Sequence, residues 1–287
     1  MSQLSIEPLH GDLGGRVTGV DLTSQLGDET VEMIREAIDT WSLLCFPDQA
    51  MTDRAQLVFT RRLGEPEPEH VHFGKTGEIT YFGTVGNVVD EKSRVGNDDL
   101  STRYQKGNQL WHSDSSFRLV PSFVSIGHAY EVPGEGGATE FASMRTAYAR
   151  LPSELRATID PLQVIHDYVF SRSPIAPVDP NHAASLPPIS HKLVRTNPRN
   201  GEKNYYVGSH ARSIVGWSGI ESRGLIDELL ARATRPQDIY AHHWNIGDTV
   251  IWDNRCLLHK GADYDADRWR RLMRQTRVMG VGPTLEE

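Results

Sequence analysis

Residues 111–117 read WHSDSSF. In an extended chain alternate side chains share a face, so His112 and Asp114 point the same way. Such a pair is either a wet strand face or half of an ion site. A lone His-x-Asp is common by chance, and its meaning depends on what the rest of the chain can bring to it.

The first such element is WDNRCLLHKG at 252–261. It puts His259 just past a strand-like stretch, DTVIWD, which follows a turn, NIGD. Two histidines and one carboxylate with the remaining positions open form the facial triad that suits non-haem Fe(II). Zinc held by the same three residues and a water would serve a hydrolase, and the residue types alone leave that reading open. Other histidines compete. His70 and His72 flank one residue, and His242 and His243 are adjacent, so at most one of the latter faces inward from a strand.

The surrounding texture sets the fold class. From 111 onward short strand-like stretches (FVSIGHAY, KLVRT, NYYVGS, IYAHHW, RLMRQTRV) alternate with the turns PGEGG, NPRNGE and NIGD. That pattern predicts a mostly β protein with a sandwich or jelly-roll core and helices outside it. Val31, Ile34 and Ile38 fall at helical spacing, with Asp28 or Thr30 as N-cap. A second helix follows to about 64, capped by Thr52 and stopped by Gly64. Further helical segments are expected at 144–159 and 219–234. The stretch 65–110, rich in Gly, Pro, Asn and charge, reads as a long binding loop or lid with one strand, ITYFGTV. No linker divides the chain, so 1–287 is expected to be a single domain.

Bulk properties narrow the partners. The net charge of −8 argues against nucleic acid. No apolar run approaches the roughly 20 residues of a membrane helix, and the start has no secretory pattern. Cys45 and Cys256 sit far apart in apolar surroundings, which fits buried thiols in a reduced, cytoplasmic protein.

The segment RWRRLMRQTRV at 268–278 carries the remaining signal. As a strand it puts Arg270, Leu272, Arg274, Thr276 and Val278 on one face and Arg271, Met273, Gln275 and Arg277 on the other. The first face is the more apolar and is the inward candidate. Two inward arginines, about 13 Å apart, would demand anions, and guanidinium forks suit carboxylates. An outward basic face with internal salt bridges has equal standing on pattern alone.

Together, NQLWHSDSSF, GGATEF, WDNRCLLHKG and RRLMRQ, with GVDL and LLCFPDQ near the start, resemble the taurine dioxygenase-like Fe(II)/2-oxoglutarate-dependent dioxygenases. The likeness is strongest to the branch that cleaves 2,4-dichlorophenoxyacetate and other aryloxyalkanoates, through TEFASMRTAY, LVRT and GSHARSIVGW. It implies a double-stranded β-helix core and an oxidoreductase of aromatic compound and herbicide degradation. Substrate hydroxylation would occur beside the ether oxygen, with 2-oxoglutarate and O₂ as co-substrates. It implies iron ligands His112, Asp114 and His259. Thr139 and Arg270, eleven residues past His259, would hold the C5 carboxylate of 2-oxoglutarate. Arg274 would meet the anion of a small-molecule substrate, with His210, Ser116, Phe117 and His242 on the substrate side. Tyr81 and Trp217 join Phe117 as candidates for an apolar wall. A homo-oligomer is implied by the family. A sulfonate or alkyl sulfate is the competing substrate class. The likeness is weakest at 65–105 and 168–190, and Asn197 stands where relatives often have histidine.

Overall fold

In the computed structural model of the chain, residues 4–69, 80–89, 92–99, 102 and 105–287 are described. His70 and His72 lie outside them. The chain opens with strands β1 (Ser5–Pro8) and β2 (Gly15–Thr18), helix α1 (Asp28–Trp41), β3 (Leu43–Phe46), helix α2 (Asp53–Leu63) and β4 (Gly83–Gly86). Next come β5 (Ser122–Glu131), β6 (Thr139–Ser143), helices α3 (Met144–Ala149) and α4 (Ser153–Ile159), and β7 (Gln163–His166). Helices α5 (Tyr168–Arg172) and α6 (Pro180–Ser185) lead to β8 (Ile189–Lys192), β9 (Val194–Thr196), β10 (Lys203–Tyr205) and β11 (Ala211–Ile214). The chain ends with helix α7 (Gly219–Ala233), β12 (Ile239–His242), β13 (Thr249–Asp253), β14 (Leu257–Gly261) and β15 (Leu272–Met279).

Helices form over the four expected segments, but 144–159 divides into α3 and α4 around Arg150–Pro152, and α5 and α6 arise in 168–190, where none was expected. Thr52 caps α2 by accepting from Ala55 N at 3.2 Å. Neither Asp28 nor Thr30 caps α1; Gly27 holds that position without a side-chain bond, and Asp28 lies in the first turn. There its carboxylate accepts from Arg62 at 2.6 Å and favours the positive end of the helix dipole. Of the ITYFGTV stretch, only its end enters a strand, β4, at the sheet edge beside β15.

A seven-stranded sheet in the order β1-β2-β3-β13-β5-β15-β4 forms one layer, antiparallel except for the β2–β3 pair. Its central strands are buried on both faces, which explains the near-continuous apolar runs LLCF and TVIWD. Leu44, Phe46, Val124, Ile126, Ile251 and Val278 pack beneath α1 and α2, against Val31, Ile34, Ile38, Phe59 and Leu63. Leu43, Cys45, Val250 and Trp252 face the other way and meet Phe141 and Leu257 of a three-stranded sheet, β12-β6-β14. Cys45 and Cys256 are free and buried, as expected. A third sheet, β11-β7-β8, and the β10-β9 hairpin complete a strand-rich architecture with flanking helices.

Candidate active site

His112 and His259 sit side by side on an antiparallel bridge. His112 N donates to His259 O at 3.0 Å and His259 N to His112 O at 2.8 Å. That bridge brings two segments distant in sequence into fixed register and leaves the imidazoles 4.2 Å apart, centroid to centroid. Asp114 closes the triangle, with its carboxylate 3.8 Å from His112 Nε2 and 3.7 Å from His259 Nε2. The three ligand atoms all lie within 4.8 Å of one another. Gly208, in the GSHA element, lets the next segment pass closely over this bridge. A Cβ there would lie 3.2 Å from Trp111 O and 3.3 Å from His112 Cα.

The surroundings fit a divalent cation. His112 Nδ1 is 2.7 Å from Leu110 O, so it donates and leaves the Nε2 lone pair inward. Asp114 accepts from Ser125 Oγ at 2.6 Å and Gln275 Nε2 at 2.7 Å, both on Oδ2. Asn254 takes Asp114 N and donates to Ser125 Oγ, tying the ligand's backbone and its supporter together. Burial, then the neighbouring His259, push the His112 imidazole down to about 3, so it is neutral and ligand-competent. Burial also lowers His259. Burial alone would raise Asp114, but His259, His112, Arg277 and the Ser125 hydroxyl together hold it at about 2. Two neutral imidazoles and one carboxylate are the donor set for Fe(II) with open positions.

The open side of the triad faces a cavity of about 120 Å³. Thr139, Trp244, Trp252, Tyr264, Arg271, Met273 and Gln275 line it together with the triad. Thr139 Oγ1 accepts from Trp244 Nε1 at 2.9 Å, which leaves its hydroxyl proton for a ligand. Here the expected strand face is corrected. Arg270 does not line the cavity; it forms an ion pair with Glu131 at 2.6 Å. Arg274 does not either; it pairs with Asp53 at 2.7 Å and lies over Phe82. The apolar side of β15, with Thr276 and Val278, is the side covered by α1 and α2.

Arg271 takes the inward place. It is 7% exposed. Its backbone N donates to Asn87 Oδ1 at 2.9 Å, and Asn87 in turn holds Ala266 O and Trp269 O. Its guanidinium reaches Gly137 O at 3.4 Å and lies 5.7 Å from the Tyr264 ring. No carboxylate among the described residues pairs with it, and Nε has no hydrogen-bond partner there. Burial lowers its proton affinity, with Tyr264 acting the other way. A buried guanidinium of this kind calls for an anion.

The remaining candidates divide. His210, Phe117 and Ser116 are buried beside the triad rather than in the cavity wall. His210 lies 6.5 Å from His112 and 4.9 Å from Phe117, ring to ring, with Nδ1 2.7 Å from Ser171 Oγ. Ser116 O accepts from His191 Nε2. His242 is in register with Thr139 but points away, its Nε2 3.2 Å from Asp248. Trp217, just before the Ser218 cap of α7, is 37% exposed and lines no part of the cavity. Tyr81 does not line it either. Arg271, Gln275, Trp244, Asn87 and Tyr264 were not singled out from sequence. Only the alternation along 270–278 carried a signal for the first two.

The sequence matches the family described as taurine catabolism dioxygenase TauD, TfdA family over residues 5–276. It is 36% identical over 282 residues to an alpha-ketoglutarate-dependent 2,4-dichlorophenoxyacetate dioxygenase of Cupriavidus pinatubonensis, covering 94% of this chain and 96% of that protein. It is 35% identical over 286 residues to an (S)-phenoxypropionate/alpha-ketoglutarate-dioxygenase of Sphingobium herbicidovorans, covering 96% and 94%. The solved structure of AAD-2 in complex with Mn(II) and N-oxalylglycine superposes with a TM-score of 0.90 at 33% identity, over 99% of this chain and 100% of that one. The triad, its cavity and these full-length matches lead to one conclusion: the chain belongs to the TauD, TfdA family of dioxygenases and is an oxidoreductase.

Proposed function

We propose that this dioxygenase uses Fe(II), 2-oxoglutarate and O₂ to hydroxylate an aryloxyalkanoate at the carbon beside its ether oxygen, on a double-stranded β-helix core within a single domain spanning 1–287. The observation that carries the reading is the opening of His112, Asp114 and His259 onto the same cavity as Arg271, a buried guanidinium without a carboxylate among the described residues. Fe(II), when bound, activates O₂ as 2-oxoglutarate is decarboxylated to succinate and CO₂. His112, Asp114 and His259 would hold the metal, with the cavity on their open side. Arg271 and the Thr139 hydroxyl would hold the far carboxylate of 2-oxoglutarate and so direct its keto-acid end toward the triad. Ser125, Asn254 and Gln275 fix the Asp114 carboxylate. Trp244, Trp252 and Met273 wall the cavity and limit water.

The hydroxylated product is a hemiacetal. For an aryloxyacetate it collapses to a phenol and glyoxylate, so one O₂ delivers one oxygen atom to succinate and one to the substrate. The 2,4-dichlorophenoxyacetate and phenoxypropionate relatives support an aryloxyalkanoate over a sulfonate or sulfate. Membership of a dioxygenase family removes the hydrolase alternative. The test is turnover of a panel of phenoxyacetates, phenoxypropionates, taurine and alkyl sulfates with Fe(II), 2-oxoglutarate and O₂. Succinate and phenol release in equal amounts with an aryloxy acid is the expected result. Succinate release stimulated only by taurine or alkyl sulfates would sink the substrate assignment.

A further inference from the structure

Away from the triad, one more group of side chains combines the donor types of a metal site. Cys45 projects from β3, His242 ends β12 and Asp248 immediately precedes β13. They meet where the seven-stranded sheet faces the β12-β6-β14 sheet. A sulfur, an imidazole nitrogen and a carboxylate oxygen there all lie within 4.8 Å of one another. Each of the three residues is 5% exposed or less. The NIGD turn returns Asp248 to the end of β12. Asp248 N donates to Asn245 O at 3.1 Å, and Asp248 Oδ2 accepts from Asn245 N at 2.8 Å.

Two plainer readings of the cluster fit less well. A His–Asp ion pair would align Nε2 on the carboxylate. His242 Nε2 is 3.2 Å from Asp248 Oδ2, yet off the line of a hydrogen bond, and it has no hydrogen-bond partner among the described residues. Two groups that close and not bonded to each other converge on a third point. His242 Nδ1 is 3.2 Å from Tyr240 Oη, which can accept its proton and leave the Nε2 lone pair inward. A cysteine nucleophile would need access and a thiolate. Cys45 has neither, since it is buried, and burial, then Asp248, push its thiol up to about 12.

We infer that Cys45, His242 and Asp248 form a second metal site, separate from the triad, that takes Zn(II) with a water in the fourth position. Sulfur and imidazole donors select Zn(II) over Mg(II) and Ca(II), which take oxygen. A thiolate and a carboxylate balance the divalent charge, so the filled site is neutral and can lie between two sheets. The thiol proton passes to solvent as the metal binds. None of the three residues lines the triad's cavity. The role is structural: the Trp244 ring meets the His242 ring edge-on at 4.7 Å, and Trp244 Nε1 donates to Thr139 Oγ1. Zn(II) there braces the wall that carries Thr139.

The test is an anaerobic titration of Co(II), as a probe for Zn(II), into the full-length protein stripped of metal by a chelator. The readout is the near-ultraviolet charge-transfer band of a cobalt–thiolate bond. The triad has no sulfur, so the band reports the second site alone. Wild type should develop it, and Zn(II) added afterwards should bleach it. Asp114→Ala, which disables the triad, should keep the band. Cys45→Ser should lose it, whereas Cys256→Ser, at the other buried thiol, should keep it. Cys45→Ala, which leaves an apolar side chain in the sheet, serves if Cys45→Ser does not fold. Zn(II) should also raise the melting temperature of Asp114→Ala, and should not raise that of Asp114→Ala combined with Cys45→Ala. No band in wild type overturns the inference. So does a band that survives the loss of Cys45, or one that disappears in a folded Cys256→Ser.

Discussion

The two sides of β15 carry similar residues and opposite logic. On the helix-covered side Arg274 meets Asp53, and just before the strand Arg270 meets Glu131. On the cavity side Arg271 has a backbone carbonyl and a phenol ring but no carboxylate among the described residues. Arg277 shares the cavity side yet is saturated by Glu67 and Glu69. Burial alone therefore does not mark a binding arginine. What marks it is a guanidinium removed from water and left for a ligand to complete.

That contrast breaks most sharply at Arg271. Arg271→Gln should lower kcat/KM for 2-oxoglutarate by about 100-fold or more, through loss of a charge-assisted fork to a buried carboxylate. Its melting temperature should hold or rise, because a buried charge without a carboxylate is removed. Steady-state kinetics and thermal unfolding read both. A large fall in stability with unchanged kinetics would make Arg271 a structural residue like its neighbours.

The grouping of His112, Asp114 and His259 was legible in the sequence because each half has a local signal: His112 and Asp114 share a strand face, and His259 follows a strong strand. The arginines were not, for a physical reason. An apolar strand face shows that something covers it, not whether the cover is a helix layer or the interior of the β core. Thr276 and Val278 meet helices, so the apolar side was the wrong side for a ligand. The entry to β15 is also irregular, since Leu272 pairs with Glu131 but Met273 with Ala129. Spacing counted from His259 reaches Arg270, which pairs with Glu131, while the next residue, Arg271, lines the cavity. Thr139 came from likeness alone and lines the cavity, whereas His242 turns to Asp248.

The saturated arginine supplies the next test. Glu67 accepts from Ser115, Ser122 and Arg277, and is 1% exposed. Ser115 follows Asp114 in a left-handed conformation with φ 55°. Glu67→Gln should cost about 3 kcal/mol in stability, because one partner of a buried pair loses its charge. Denaturant unfolding checks it. A cost below about 1 kcal/mol would remove Glu67 from the framework of the site.

Buried imidazoles follow the same rule as the arginines. His191 Nε2 donates to Ser116 O, so Nδ1 accepts from Thr284 Oγ1; no carboxylate among the described residues pairs with the ring, and burial, then Arg195, push it down to about 4 from 6.5. The unfolded chain takes up a proton below about 6.5 that the folded chain refuses until about 4. Stability is therefore full above this window and is lost as pH falls through it, by on the order of 3 kcal/mol. His191→Gln should flatten that loss in unfolding curves recorded across the window. A pH dependence identical to wild type would contradict it.

The smallest effect belongs to the helix side. Arg274→Gln removes a partly exposed pair with Asp53 and should change stability by no more than about 1 kcal/mol, with kinetics near wild type. A large rise in substrate KM would restore Arg274 to the role first expected of it.

The most direct test of the central claim is an anaerobic titration of 2-oxoglutarate into Fe(II)-loaded protein, followed by the visible charge-transfer band of the chelate. The wild type and Arg270→Gln should bind alike, while Arg271→Gln binds about 100-fold more weakly with Fe(II) still retained. Equal binding by wild type and Arg271→Gln, with the loss falling on Arg270→Gln instead, would contradict the assignment of the cavity face.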